Sequence, residues 1–548
     1  MKNKLLVLFS FILVFNIFYK FSNINPYYDE VGAVQTILSA KYYNEADVYK
    51  NYWHNKFGDN SLIGAKLFFN SLPYIVVPLR WTYAIAIYPI IALFINDTDS
   101  ISVLKFKGII GFAVLNIFGF IFFSQLLLKR FGIGLLSYIF ISLVFCFGVE
   151  YIHYARSATP YALIILGISI QLYSITNIRN YFFSFSNANT KKIYLNFFLF
   201  SLPVVFNHQF IITYPFLLLF SGYLFFIKKI NFKHTFYYLL LPSIIFLGDI
   251  LFLFVRAKML NLHTNPGLNA LSSGSHGEYL FSNAKGIFDQ IIYFTKNGAL
   301  FTFYSITGFY KSEYERLAYL VSIFFYSFLG YIFFSLFKNR KNSFNNASLK
   351  LSLNQKLLAL YIIINFCVFL FLIISGKLNL SPTRQSLFFT VLFSLMIGLI
   401  AGYLSKKISL LFYCPLTVLI FIVFLNNRGK EYEESGFSPD KIFEYAQKND
   451  CKSVILQQCW MYPLFSNELN REFDLLYRCG PVCMNTDISL RKNIIYVDFT
   501  NETLEARLSY LKSLMPQINS SECLDSVINT DGNKKGYNMY LYKVKTFN

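Results

Sequence analysis

Few side chains in this 548-residue sequence are of a type, and at a place, that could carry chemistry. The sharpest group is Tyr27-Tyr28-Asp29-Glu30, directly after the first apolar run. Adjacent carboxylates at a membrane surface are costly when partly desolvated and unpaired, so such a pair invites a functional explanation. The same residues also fit a solvated helix start, with Asn25 or Asp29 capping a helix from Val31 to Tyr43. A second group is Glu150, His153, Arg156, Thr159, Pro160 and Tyr161. Thr159 as N-cap and Pro160 at the first helical position account for the start of a helix. They do not account for Glu150 and His153, which stand one turn apart and can bond each other or a ligand. Asn207-His208-Gln209 interrupts an apolar stretch, and Ser381-Pro382-Thr383-Arg384-Gln385 precedes another. Arg384 either snorkels to headgroups or offers its fixed fork of donors to a phosphate.

The elements that must hold these groups are apolar helices. The chain is 55% hydrophobic, 20% aromatic and only 14% charged, against about 25% charged residues in a soluble domain. A soluble enzyme is excluded. Residues 1–426 carry 34 Lys/Arg against 13 Asp/Glu, while 427–548 carry 15 against 16, so the whole excess of +20 sits in the apolar part. Those cations stand in short clusters between apolar runs, as retention of Lys and Arg on the cytoplasmic face requires, and nucleic-acid binding is set aside. No Walker-type loop, dinucleotide fingerprint or His-Glu-x-x-His is present, so an ATP-driven pump or a membrane zinc protease has no support. Asp249 is the only acid well inside an apolar run, where an ion-coupled carrier usually needs more.

A spanning helix needs about 20 mostly apolar residues. Approximate spans lie near 5–22, 108–128, 133–152, 160–177, 194–211, 213–227, 235–255, 317–337, 357–375, 386–404 and 408–425. The seam at 207–213 is either a tight outer turn or a polar kink. The expected fold is thus mainly α, a polytopic membrane helix bundle of about 11 spans, N-terminus in and C-terminus out, with a small C-terminal extracytoplasmic α/β domain. That orientation puts Lys129/Arg130, Arg179/Lys191/Lys192, Lys228/Lys229/Lys233, the 338–356 cluster and Lys406/Lys407 in the cytoplasm, with no acid in any of those loops. The first run reads as a retained anchor rather than a cleaved signal peptide, since no small-residue cleavage site stands out before Asn25-Pro26.

Two outer segments are long, 23–105 and 256–316. The first holds an aromatic stretch, Leu72–Ile95, broken by Pro73, Pro78, Arg80 and Pro89, which suits interfacial helices. The middle of the second, His263–Gly277, has the composition of a loop over a site or of a plain connector. In the tail, 427–548, helical patterns at 440–448 and 503–514 alternate with strand patterns at 453–458, 493–499 and 537–544. Its five cysteines, Cys451, Cys459, Cys479, Cys483 and Cys523, favour structural disulfides over zinc, because no second pair or nearby histidine completes a metal set.

The order of these features resembles the integral-membrane glycosyltransferases of GT-C type, near the protein mannosyltransferase and lipid A aminoarabinose transferase group. Asp29-Glu30 resembles that family's acidic motif at the start of the first outer loop. Leu72-Pro73-Tyr74 through Leu93 resembles its amphipathic stretch, and the next span ends in a basic pair, Lys129-Arg130, as it does there. Tyr154-Ala155-Arg156-Ser157-Ala158-Thr159-Pro160-Tyr161-Ala162-Leu163 is similar to its Glu-Ala-Arg-Pro-Tyr-Ala-Leu segment, and Leu380 through Leu387 to its late Pro-x-Arg-(Tyr/His) segment. Ser157, Thr159 and Gln385 depart from the usual Glu, Arg and Tyr/His.

The resemblance implies inverting transfer of a sugar from a polyprenyl-phosphate donor to a lipid, glycan or protein acceptor on the outer face of a membrane, a bacterial inner membrane on composition. It implies Asp29 as general base, Glu30 beside it, and Glu150, His153, Arg156, Tyr161, His208 and Arg384 around the substrates. The energy of the donor's phosphodiester removes the need for a nucleotide cofactor, and the sequence fixes no metal. The alternative is a lipid-linked sugar flippase or polysaccharide polymerase-like protein, which would need a cationic cavity and no acidic pair. An anchor for the tail alone would not need so many spans.

Overall fold

The computed structural model describes residues 2–19, 101–156, 160–183, 190–205, 207–259, 287–308, 314–338, 352–374, 380, 387–402 and 406–427, with residues 447, 448 and 450 and five strands of the tail. These elements fall into two compact units, one helical and one containing the sheet.

The helices, which fall in the first unit apart from residues 101–111 and Met259, are α1 (Lys2–Phe18), α2 (Ile101–Gln125), α3 (Leu135–Phe147), α4 (Val149–Ala155), α5 (Ile164–Phe183), α6 (Thr190–Ser201), α7 (Tyr214–Phe226), α8 (Phe232–Met259), α9 (Ile287–Thr307), α10 (Glu315–Lys338), α11 (Leu353–Ile374), α12 (Leu387–Gly402) and α13 (Lys406–Asn427). Among the described residues five stretches are long and apolar enough to cross a membrane: 110–130, 161–183, 209–226, 353–374 and 410–427. The apolar segments 135–147 and 387–399 are shorter.

The distribution of apolar side chains on α11 shows why water cannot be its solvent. Leu358, Tyr361, Ile362, Asn365, Phe369 and Ile373 recur every three or four residues and are buried, the stripe of a packed helix. The opposite side would be polar in a soluble protein, yet it carries exposed Ile363, Phe371 and Ile374. Outward Val114 and Phe118 on α2, Leu219 and Phe226 on α7, and Leu411 and Leu425 on α13 repeat the pattern. Backbone groups satisfied inside each helix, with hydrocarbon outside, meet the requirement of a bilayer.

Side-chain hydrogen bonds then tie the helices in register. Gln171 of α5 donates to Phe200 O (3.1 Å) and Thr213 Oγ1 (2.7 Å), and its carbonyl accepts from Tyr361 Oη of α11 at 2.6 Å. Tyr361→Phe leaves that buried acceptor without its donor, and a loss of about 1 kcal/mol is expected, in the range of interhelical hydrogen bonds measured in bilayers. Denaturant or thermal unfolding in detergent reads it, and a variant as stable as the parent would remove this bond from the account. In the π-helical turn Leu126–Arg130 that follows α2, Arg130 lies over the Tyr173 ring (4.4 Å) and donates to Thr176 Oγ1 (3.0 Å), while its own carbonyl accepts from Asn354 of α11 (2.7 Å).

Three segments differ from the spans read in the sequence. The run expected as one span over 133–152 is two helices: Gly148 is extended (φ −67°, ψ 117°) between α3 and α4. The run expected over 194–211 ends its α-helix early, at Ser201, while the turn or kink expected at 207–213 is found there: Asn207 Oδ1 accepts from Gln209 N at 2.9 Å and caps a 3-10 segment, His208–Thr213. The 256–316 segment, read as an outer loop, contains the 21-residue helix α9. Its first half exposes Phe288, Ile291 and Ile292, while Leu300, Phe301, Phe303, Tyr304 and Ile306 are buried. Lys296 at its middle is neutralised by Glu315 at 2.9 Å.

In the tail, β1 (Ser453–Leu456), β2 (Asp474–Tyr477), β3 (Ile494–Thr500), β4 (Ile518–Val527) and β5 (Asn538–Thr546) form one mixed sheet of order β2-β1-β3-β5-β4. β1 pairs in parallel with β2 and β3; β5 pairs antiparallel with β3 and β4. The strand patterns at 453–458, 493–499 and 537–544 coincide with β1, β3 and β5, whereas β2 and β4 carry no clear alternation in the sequence. The helical pattern at 503–514 lies outside the described residues, as do Cys451, Cys459, Cys479 and Cys483.

Candidate functional site

The described part of the candidate site is the short helix α4 and the two segments it meets. Gly148 ends α3 in an extended conformation, so that Val149–Ala155 starts as a separate helix rather than as a continuation of α3. Packing demands glycine there: a Cβ on Gly148 would lie 2.5 Å from the Tyr151 ring, and one on Gly308 would lie 2.7 Å from Gly148 Cα. Gly308 itself has φ +64°, open to glycine at little cost. Tyr151 thus seals the underside of α4, buried between Phe145 and Tyr304, with Oη 3.5 Å from Ser394 Oγ of α12. The same Ser394 hydroxyl donates to the Ser305 carbonyl of α9.

On that support stand His153, Tyr154, Arg156 and Tyr161. The Tyr154 ring meets His153 edge-on at 5.2 Å between centroids and Tyr161 at 5.4 Å. Arg156 is buried at 3% exposure and directs a guanidinium NH to the Tyr19 carbonyl at 3.4 Å, at the end of α1. Asn16 of α1 ties that helix to α3 by donating to the Cys146 carbonyl at 2.7 Å. A buried guanidinium needs charge or dipole partners, and here it is held against backbone oxygen where the chain leaves α1. The half-buried His153 ring is held at about pKa 4, chiefly by burial and further by the Arg156 cation. It is therefore neutral near pH 7 and offers one N–H and one lone pair, so the cationic group at this place is Arg156.

The structure sets His153 and Tyr161 against the Tyr154 ring, a residue named in the sequence only within the 154–163 segment and given no role there, and puts the Arg156 cation near His153. Glu150 lies on α4 and His208 opens the 3-10 segment after Asn207; their side chains lie outside the described residues. Asp29, Glu30 and Arg384 also lie outside them. Asp29 follows Tyr19 by ten residues, and Arg384 precedes α12 by three. Among the described residues no group of three or more His, Cys, Asp or Glu could hold a metal ion.

No family model matches the sequence, and no curated protein or solved structure is similar to it at a significant level.

Proposed function

We propose that this membrane protein is an inverting glycosyltransferase that moves a sugar from a polyprenyl-phosphate donor to an acceptor on the outer face of a bacterial inner membrane. The observation that carries the reading is the buried Arg156, fixed at the end of α1 beside the neutral His153. Tyr19, whose carbonyl Arg156 contacts, stands ten residues before Asp29 in the sequence. In the proposed reaction the acceptor hydroxyl attacks the anomeric carbon, its proton passes to Asp29, and the C–O bond to phosphate breaks with its electron pair leaving on polyprenyl phosphate. Arg156 and Arg384 would stabilise the accumulating negative charge, and Glu30, Glu150, Tyr161 and His208 would line the substrates. The donor's lipid tail explains an enzyme embedded in the bilayer. The proposal retains about 11 spans, an N-in/C-out orientation and the tail as an extracytoplasmic α/β domain.

The decisive experiment incubates purified protein with labelled polyprenyl-phosphate sugars and measures released polyprenyl phosphate with concurrent glycosylation of acceptor. Consumption of no donor from a panel of sugars, by protein shown to be folded, would end the reading. Arg384→Ala is expected to weaken donor use by about 100- to 1000-fold, the effect of removing one charge-stabilising donor. Donor kinetics unchanged in that variant would reduce Arg384 to a lipid anchor.

A further inference from the structure

The turn between α7 and α8 is separate from the site described above and has a shape of its own. Lys228 adopts φ +54°, a left-handed conformation uncommon for a non-glycine residue. Its N–H reaches Phe225 O at 2.9 Å, and Lys229 N reaches Leu224 O at 3.0 Å. Asn231 opens α8 by accepting from His234 N at 2.8 Å through Oδ1 and from Thr235 Oγ1 at 2.9 Å through its carbonyl. The folded turn borders an open cleft of about 600 Å³ lined by Phe226, Lys228, Lys229, Phe232 and His234, with the buried Ile230 also in its wall.

Two properties of this cleft point to one class of occupant. The first is charge. Lys228, Lys229, Lys233 and His234 are exposed at or beside the cleft, and not one Asp or Glu occurs between Tyr151 and Gly248. Lys229 is 5.5 Å above the Phe183 ring, which holds its ammonium at the end of α5. The second is the apolar collar. Phe226 is 83% exposed and Phe232 75%, and the outward faces of the flanking helices continue with Leu219, Phe236 and Ile244. Retention of cations on one side of a membrane accounts for lysines in this loop. It does not account for a concave cleft whose cationic rim passes directly into exposed aromatic rings and then into an aliphatic helix face.

We propose that the α7–α8 turn is a binding site for an anionic phospholipid, with the headgroup phosphate in the cleft between Lys228 and Lys229, the exposed Lys233 next along α8, and the acyl chains along the outward faces of α7 and α8. Basic pockets between spanning helices recognise acidic headgroups in this way, and the apolar collar requires chains that a free phosphate lacks.

Native mass spectrometry of the full chain in detergent, titrated with dioleoyl phosphatidylglycerol, tests the proposal. A retained lipid is expected, at least about tenfold weaker in the triple variant Lys228→Gln, Lys229→Gln, Lys233→Gln. Dioleoyl phosphatidylcholine, with the same chains, should bind the parent at least about tenfold less well, and excess inorganic phosphate should leave the adduct in place. Equal retention by the variant, equal retention of phosphatidylcholine, or displacement by inorganic phosphate each overturns it. Should the triple variant lose its fold, Lys228→Gln and Lys233→Gln taken singly carry the same expectation at about fivefold each.

Discussion

Asp29→Asn is expected to abolish sugar transfer, by about 100- to 10,000-fold, while the protein still inserts and purifies as the parent does. Asparagine matches aspartate in volume and keeps a hydrogen-bonding carbonyl, but it cannot accept the proton that the acceptor hydroxyl must lose. If the residue serves only as a helix cap, asparagine is as good a cap as aspartate and activity would be untouched. The substitution therefore separates the two readings of the acidic pair without disturbing packing. Glu30→Gln should cost less, because the neighbour is given a binding role, and Asp29→Glu should restore part of the loss by returning a proton acceptor at a displaced position. The readout is released polyprenyl phosphate per folded enzyme at saturating donor. Near-parental transfer by Asp29→Asn would sink the assignment of the base, and with it the reason for tying Arg156 to the chain that leaves α1.

The membrane character was legible from the sequence because it depends on local periodicity and total apolarity. The buried stripe of α11 and its apolar outer face are both visible as residue types. The break at Gly148 was not, since Cys146-Phe147-Gly148-Val149 reads as continuous apolar sequence. What demands a glycine there is partly remote: a Cβ on Gly148 would meet the nearby Tyr151 ring, and the Gly308 backbone, 160 residues on, packs against Gly148 Cα. Helix α9 was hidden for a different reason. Asp289, Gln290, Lys296 and Asn297 depress the apolarity of its first half, and the partner that neutralises Lys296 lies on α10. Arg130 shows the limit of charge counting, for a cation read as a topological marker is also a clamp between α5 and α11. In the candidate site, residue types were sufficient to single out His153, Arg156 and Tyr161. They could not reveal that Arg156 is buried against the end of α1, nor that burial leaves His153 neutral.

The Gly148–Gly308 contact gives the largest expected effect on the fold. Gly308→Val places a branched side chain at a φ of +64°, with its Cβ 2.7 Å from Gly148 Cα and 2.8 Å from the Tyr151 ring. The backbone conformation alone costs about 1–3 kcal/mol, and forcing a side chain into a filled core costs about 1–3 kcal/mol more. Backbone cannot yield as a flexible side chain can, so both costs apply. Gly222→Ala is the control: it lies exposed within α7 with no atom within 4 Å of a new Cβ, and a gain of up to about 1 kcal/mol is expected there. Thermal unfolding in detergent should therefore move in opposite directions for the two variants. The smaller Gly308→Ala carries the functional part of the argument. Its Cβ must still displace Gly148, and α4 begins at the very next residue, so His153 and Arg156 shift with it. Transfer by Gly308→Ala, measured at a temperature where the variant remains folded, should fall by more than its unfolded fraction explains. A Gly308→Val protein that melts with the parent would mean that α3, α4 and α9 do not meet there, and α4 would lose the support that aims its guanidinium.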